Sequence, residues 1–374
     1  MLRARKAVRH LPVYHPPLKD REGLRLDFNE NTGGCSPRVL ACLRNLTTEQ
    51  IARYPEREPV EAIAATHLGV RPQEILLTNG VDEAIHLLCE AFLEPEDEVL
   101  IAEPTFPIYE IAAAATGAHV IRIPMAEDFL FPTADLLSRI TPRTRLIAIA
   151  NPNNPTGCVV PQDDLLEITR RASDAAVLID EAYFEFFGET LLPQWRKLSN
   201  LFIARTFSKA YGLAGLRIGL LAGEAENINL VRKVSLPFNI NGVALACLPE
   251  ALADRAYVED YVEQVRRGRE GLQGELHHRG IPYFPSQANF VLARLSSLNS
   301  AFILRMRERS ILVRDRSSDF ACAGCVRITL GTLVHTEQLL IALRQTLEEI
   351  GYSSQSVKFF QDIPLIPGKT PRKT

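Results

Sequence analysis

Within the stretch RTFSKAYGLAGLRIG, residues 205–219, one lysine, two hydroxyls and an arginine stand among small and apolar neighbours: Thr206, Ser208, Lys209 and Arg217. An amine buried in such company loses hydration, and its neutral form is favoured. A neutral amine is a nucleophile towards an aldehyde. The two hydroxyls and the guanidinium are donors suited to a phosphate, the arginine in fork geometry. Upstream, the apolar run 177–179 delivers Asp180, and Tyr183 follows where a turning chain points its phenol into the same space. A carboxylate directly after a buried run is costly unless a cation or a hydrogen-bond donor meets it. A metal-facing or helix-capping aspartate is the rival reading. An aldehyde for Lys209, a phosphate for Thr206, Ser208 and Arg217, and a cationic ring for Asp180 describe one molecule, pyridoxal 5′-phosphate.

Two further run ends offer groups to the same ligand. The run 75–78 leads into Asn79-Gly80-Val81-Asp82-Glu83 and a helical pattern. A helix N-terminus after such a turn holds phosphates through free N–H groups, although the same residues serve a plain capped helix. The run 146–150 ends in Asn151-Pro152-Asn153-Asn154-Pro155-Thr156-Gly157. Its prolines fix an irregular loop in which Asn154 presents an amide, or forms only an Asx turn. With Tyr183, Asn154 would reach the ring's phenolate oxygen. Asp180 would keep the ring nitrogen protonated through a charge-assisted hydrogen bond of about 1.5–3 kcal/mol, making the ring an electron sink.

These groups need elements that bring run ends together. Runs at 75–78, 99–102, 120–123, 146–150, 177–179, 201–204 and 218–222 are rich in Ile, Leu and Val and lack clean alternation. Strands buried on both faces of a largely parallel sheet read this way. Between them, Val81, Ile85, Leu88 and Phe92 form one helical stripe. The pattern predicts an α/β fold with a mostly parallel central sheet flanked by helices. Ligands of such sheets sit beyond the strands' carboxyl ends, where every candidate above falls. After residue 261 a charged helix, strands at 290–293, 311–313 and 326–330, and a helix at 336–350 predict a smaller α+β unit. The expected division is an arm at 1–30, a large domain at 31–260, a small domain at 261–352 and a tail at 353–374.

Composition narrows the function class. The 374 residues are 46 % hydrophobic and 23 % charged, with a formal net charge of −3, which gives no electrostatic case for nucleic acid or an anionic membrane. Apolar runs are too short to span a bilayer, and the basic amino terminus lacks the apolar core of a secretory signal. Seven scattered cysteines suit reduced thiols and a cytoplasmic location. The single CxxC at Cys322 and Cys325 has no second half, so it reads as buried strand-end thiols, and no metal is expected.

Taken together, these residues resemble the fold-type I pyridoxal-phosphate enzymes, and more closely the histidinol-phosphate aminotransferase family. The likeness spans about 14–351. It rests on Asn29-Glu30-Asn31, Tyr54-Pro55, Gly80-Val81-Asp82-Glu83, Pro104-Thr105-Phe106 with Tyr109, the segments 151–157, 180–183 and 205–217, Pro237-Phe238-Asn239, Asn289-Phe290, and the segments 311–315 and 326–329. The resemblance implies that Lys209 bonds the cofactor and shuttles the α-proton, with Asp180 and Tyr183 assisting. Phe106 would stack on the ring, and backbone at Gly80 and Val81 would help Thr206, Ser208 and Arg217 hold the phosphate. Tyr54 would reach the cofactor phosphate of a partner subunit in a homodimer with shared sites. Arg327, Arg314 and Tyr14 would bind the substrate's anionic group.

Histidinol phosphate with 2-oxoglutarate, in histidine biosynthesis, is the expected pair. An aromatic amino acid donor, a threonine-phosphate decarboxylase-like lyase and a cofactor-binding regulator are the alternatives. The chain departs from the family pattern at Asn29-Glu30-Asn31-Thr32-Gly33-Gly34, where a proline usually follows the second asparagine, and at Asn79-Gly80-Val81-Asp82-Glu83. The first departure lies where substrate recognition is shaped. The charged carboxyl-terminal tail also falls outside the family's usual pattern.

Overall fold

The computed structural model describes residues 2–13 and 21–352. Tyr14 and the tail at 353–374 therefore lie outside the described residues. The strands are β1 (Leu24–Leu26), β2 (Ile75–Thr78), β3 (Glu98–Glu103), β4 (His119–Pro124), β5 (Thr144–Ala150), β6 (Ala176–Asp180), β7 (Leu201–Thr206), β8 (Gly219–Gly223), β9 (Tyr283–Phe284), β10 (Phe290–Arg294), β11 (Ile311–Asp315) and β12 (Cys325–Thr329). Seven form one sheet in the order β2-β8-β7-β6-β5-β3-β4, and five form a second in the order β1-β11-β12-β10-β9.

In the larger sheet β7, β6, β5, β3 and β4 run parallel, and β8 is antiparallel to both β7 and β2. Strands β2, β6 and β7 are buried along their whole length, which is why their sequences run apolar without alternation. Helix Gly80–Phe92 lies against this sheet and buries Val81, Ile85 and Leu88 of the expected stripe, together with Ala84, Leu87 and Cys89. The fold is therefore α/β, with a mostly parallel central sheet flanked by helices.

The smaller sheet has a member the sequence did not announce. Strand β1, within the stretch expected as an arm, pairs in parallel with β11, Leu24 opposite Ile311 and Leu26 opposite Val313. Behind this sheet, helix Arg255–His278 begins ahead of the expected start at 261 and buries Val258, Tyr261, Val265, Leu272 and Leu276 as one face. Gly268 allows it to approach helix Leu333–Glu349: a Cβ there would come within 2.6 Å of Thr336 Oγ1.

Cys322 and Cys325 are both buried in an apolar cluster with Met125, Phe129, Phe284 and Leu292. No group of three or more His, Cys, Asp or Glu side chains among the described residues is placed to hold a metal ion. No described helix is long and apolar enough to cross a membrane.

Candidate active site

The carboxyl ends of β5, β6 and β7 open into a cavity of about 310 Å³. It is lined by Asp180, Tyr183, Thr206, Ser208, Lys209 and Arg217, together with Asn154, Arg314, Arg316 and Arg327. The strand ends thus bring together groups from distant parts of the sequence, as open parallel sheets do.

Asp180 ends β6 and is 4 % exposed. Its Oδ2 accepts from the Tyr109 hydroxyl at 2.5 Å, and its Oδ1 accepts from the Ala182 N–H at 3.0 Å. Both donors are neutral, and no ion pair to Asp180 forms among the described residues. Burial pushes its carboxyl up to about 6, against the pull of the Tyr109 and Ala182 hydrogen bonds. A carboxyl so placed is short of a cation.

Lys209 follows β7 by three residues, and its Nζ donates to the Phe28 carbonyl at 3.0 Å. Burial brings the ammonium down to about 8, helped by the nearby positive charge of Arg327. The amine is thus available as a neutral nucleophile close to neutrality.

The donors for an anion gather beside it. Helix Gly80–Phe92 starts without a side-chain cap, so its first N–H groups remain free to meet a ligand. Gly80 has φ +75°, and a Cβ there would come within 2.8 Å of Arg217 Nη2, so only glycine lets the guanidinium lie over the turn. Arg217, itself left-handed at φ +54°, pairs with Asp82 at 3.2 Å. Thr206 and Ser208 are buried, the Ser208 N–H donating to Thr206 Oγ1 at 3.2 Å.

Arg327, in β12, also lines the cavity and is 5 % exposed. Its Nη1 donates to Asn154 Oδ1 at 2.5 Å and its Nη2 to the Asp27 carbonyl at 2.7 Å, while its buried Nε meets no partner among the described residues. Burial brings this guanidinium down to about 10, and the nearby Arg316 charge adds to the fall. Asn154 therefore commits its oxygen to Arg327, so only its amide nitrogen can serve a ring oxygen. Tyr183 keeps its proton to donate, because its hydroxyl accepts from Asn29 Nδ2 at 2.8 Å. Burial raises the Tyr183 phenol, with the Arg327 charge opposing.

A family model described as aminotransferase class I and II matches residues 21–345. The chain belongs to this family. It is 36 % identical to a histidinol-phosphate aminotransferase of Geobacillus sp. over 363 residues, covering 91 % of this chain and 97 % of the relative. It is also 36 % identical to the enzyme of the same name from Caldanaerobacter subterraneus, with the same coverage. Among solved structures it superposes on histidinol-phosphate aminotransferase from Sinorhizobium meliloti in complex with pyridoxal-5′-phosphate, with a TM-score of 0.84 at 25 % identity, covering 94 % of this chain and 99 % of that one.

In this class I and II aminotransferase chain, the expected residues divide by place. Gly80, Arg217, Val81, Phe106, Asn154, Asp180, Tyr183, Thr206, Ser208, Lys209, Arg314 and Arg327 meet around one cavity, Gly80 beneath Arg217 and the others in its wall. Tyr54 does not reach it. It is 79 % exposed and stacks on Phe238, ring centroids 4.4 Å apart, away from this chain's own cavity. Three residues at the site carried no role in the sequence reading. Tyr109 and Asn29 stood only as motif residues, and Arg316 within the polar run RDRSSD. Only the Arg-x-Arg spacing of Arg314 and Arg316, which in a strand places alternate side chains on one face, hinted at the last.

Proposed function

We propose that this aminotransferase binds pyridoxal 5′-phosphate and transfers an amino group from histidinol phosphate to 2-oxoglutarate. One observation carries the reading. Asp180 is buried without a cation among the described residues, and it shares one cavity with Lys209, a desolvated amine, and with the guanidiniums of Arg217, Arg314 and Arg327. The residues fit the cofactor. The protonated ring nitrogen supplies the charge that Asp180 lacks. The uncapped helix start at Gly80 and Val81, with Thr206, Ser208 and Arg217, suits its phosphate. Phe106 lines the cavity where an aromatic face is needed for the ring.

When bound, the cofactor supplies an electron sink for charge developing on the substrate's α-carbon. The protein's own groups then do the following. Asp180 holds the ring nitrogen protonated, with Tyr109 fixing one of its oxygens. Tyr183 and the Asn154 amide donate towards the ring's phenolate oxygen. Lys209 Nζ would hold the cofactor's aldehyde carbon and, when free as an amine, would serve as the base for the substrate's α-proton. Arg327 and Arg314 bind the substrate's anionic group. The identity of 36 % over nearly full length with histidinol-phosphate aminotransferases supports histidinol phosphate as donor.

The test is a half-reaction screen of the purified enzyme. Histidinol phosphate should convert the cofactor's visible absorbance to that of the amine form faster than phenylalanine, tyrosine or threonine phosphate. A faster aromatic donor would move the assignment to aromatic amino acids. Carbon dioxide release from threonine phosphate without a keto product would overturn transamination.

The working unit in this reading is a homodimer in the cytoplasm. The exposed Tyr54–Phe238 stack, with Leu236 and Ile51 also exposed, offers an apolar face for a second copy, and Tyr54 would then reach the partner's cofactor phosphate. All seven cysteines are free, which suits a reducing compartment. Sedimentation should give twice the chain mass. Mixed dimers of Lys209→Ala and Tyr54→Ala chains should regain activity; a monomeric active enzyme would refute the shared site.

A further inference from the structure

In Pro237-Phe238-Asn239, Phe238 is exposed whereas Asn239 is half-buried and held from two sides. Its Oδ1 accepts from Arg57 Nη1 at 2.7 Å, and its Nδ2 donates to Glu83 Oε2 at 2.6 Å and to the Leu77 carbonyl at 3.3 Å. The same Glu83 oxygen accepts from the Asn79 N–H at 2.6 Å. A chain of hydrogen bonds therefore runs from Arg57 through Asn239 and Glu83 to the turn that opens helix Gly80–Phe92. With a cation at one end and a carboxylate at the other, the amide between them is polarised and each bond strengthens the next.

The chain fixes both the strand ahead of the turn and the turn itself. β2 is an outer strand of the large sheet. Glu61 accepts from the Leu77 N–H at 2.9 Å, Asn239 donates to the Leu77 carbonyl, and Arg232 Nη2 donates to the Ile75 carbonyl at 2.5 Å. Side chains thus stand where a further strand would pair, and the edge is satisfied. An ordinary N-cap spends the first helical N–H groups on its own side chain. Here the Asn79 side chain makes no such bond, and the turn is secured by the Asn79 N–H instead. The helix start thus stays open to an anion. β8 closes another side, since a Cβ on Gly219 would come within 3.0 Å of the Gly80 carbonyl carbon. Val81 and Asp82 line the cavity, while Asn239 and Glu83 stand outside it.

We propose that Asn239 is a positioning residue for the cofactor phosphate: through Glu83 it holds the Asn79–Gly80 turn in the shape that aims the first N–H groups of helix Gly80–Phe92 at that phosphate. Glu83 acts by one oxygen that takes two donors, and not by its charge, since a second negative group near a phosphate opposes binding. The proposal rests on the reading that this turn, with Thr206, Ser208 and Arg217, receives the phosphate.

The experiment titrates full-length wild-type, Asn239→Ala, Glu83→Ala and Glu83→Gln enzymes, stripped of cofactor, with pyridoxal 5′-phosphate and with pyridoxal, which lacks the phosphate. Asn239→Ala and Glu83→Ala should each weaken pyridoxal 5′-phosphate on the order of tenfold, the worth of one charge-assisted hydrogen bond. Their affinity for pyridoxal should stay within about twofold of wild type, as for a ligand that does not use the altered contact. Glu83→Gln keeps an oxygen for both donors and should bind both ligands within about twofold of wild type. Combining Asn239→Ala with Glu83→Ala should lose no more than the worse single change, because the two residues act in series. Should Asn239→Ala fail to fold, Glu83→Ala carries the test alone, since it leaves the Asn239 bond to Leu77 in place. Equal losses for the two ligands, unchanged affinity for pyridoxal 5′-phosphate, or a loss in Glu83→Gln as large as in Glu83→Ala overturns the proposal.

Arg217→Ala separates this claim from the reading beneath it. If Arg217→Ala alone weakens pyridoxal 5′-phosphate and spares pyridoxal, the phosphate subsite stands and Asn239 has only a structural part. If no variant, Arg217→Ala included, distinguishes the two ligands, the subsite reading falls and the proposal falls with it.

Discussion

Asp180 and Glu181 are neighbours in sequence, both wholly buried, and they meet opposite fates. Glu181 is answered within the chain: Arg205 Nε donates to its Oε2 at 2.7 Å, Thr190 Oγ1 donates to the same oxygen at 2.9 Å, and the Leu191 N–H reaches its Oε1 at 3.3 Å. The Arg205 guanidinium also lies 3.3 Å from the Phe184 ring centroid. Among the described residues, Asp180 receives only a phenol and an amide N–H. A buried carboxylate with its own arginine holds structure together, whereas one left with neutral donors is waiting for a ligand's charge.

That contrast can be broken at several points. The largest effect is expected from Lys209→Ala, which removes the buried amine that shares the cavity with Asp180. Turnover should fall roughly 10⁴-fold or more, and borohydride should no longer fix the cofactor to the protein. Asp180→Asn should lower the half-reaction rate by about 10²–10³-fold while the cofactor-free protein melts no lower than wild type. A lower melting temperature with a normal rate would place Asp180 with Glu181 as a structural group. Glu181→Gln should do the reverse and destabilise the fold by about 3–5 kcal/mol in denaturant titration, because Arg205 is left buried without its partner.

Tyr109→Phe removes one donor to Asp180 and should cost roughly tenfold in cofactor affinity, read by equilibrium dialysis. The mildest signature is in pH. Asp180 in the cofactor-free fold titrates at about 6 against an ordinary 3.8, so the folded state keeps a proton that the unfolded chain has released. Stability from this group is therefore complete below pH 3.8, falls as pH rises towards 6, and is level above it. Melting curves across that window should lose this slope in Asp180→Asn and keep it in Glu181→Gln.

Much of this was legible in the sequence because burial on both faces writes itself as unbroken Ile, Leu and Val. The seven runs of the large sheet are found within a residue or two of their expected ends. The shortfall falls on polar ends such as Asp180 and Thr206, where a strand closes on residues that serve the cavity. Strand β1 was not legible: three residues, Leu24-Arg25-Leu26, carry too little pattern, and the partner is β11, far along the chain. Tyr109 and Asn29 were visible as motif residues, but their roles were not, for a related reason. Their significance is a hydrogen bond to another segment, and nothing local marks it. Arg316 looked like part of a solvated run, because neighbouring Ser317, Ser318 and Asp319 are the residues of a surface turn.

Strand β1 and the residues just after it have one more consequence. The Asp27 carbonyl accepts from Arg327, the Phe28 carbonyl from Lys209, the Asn29 side chain donates to Tyr183, and the Asn31 side chain donates to the Ala210 carbonyl. This short stretch, residues 27–31, thus acts as a common ruler, spacing the Arg327 guanidinium from the Lys209 amine. Sliding β1 by one residue along β11 would throw every one of those marks out of place at once, so the distance between the two cationic side chains of the cavity is written partly in a strand that lines none of it.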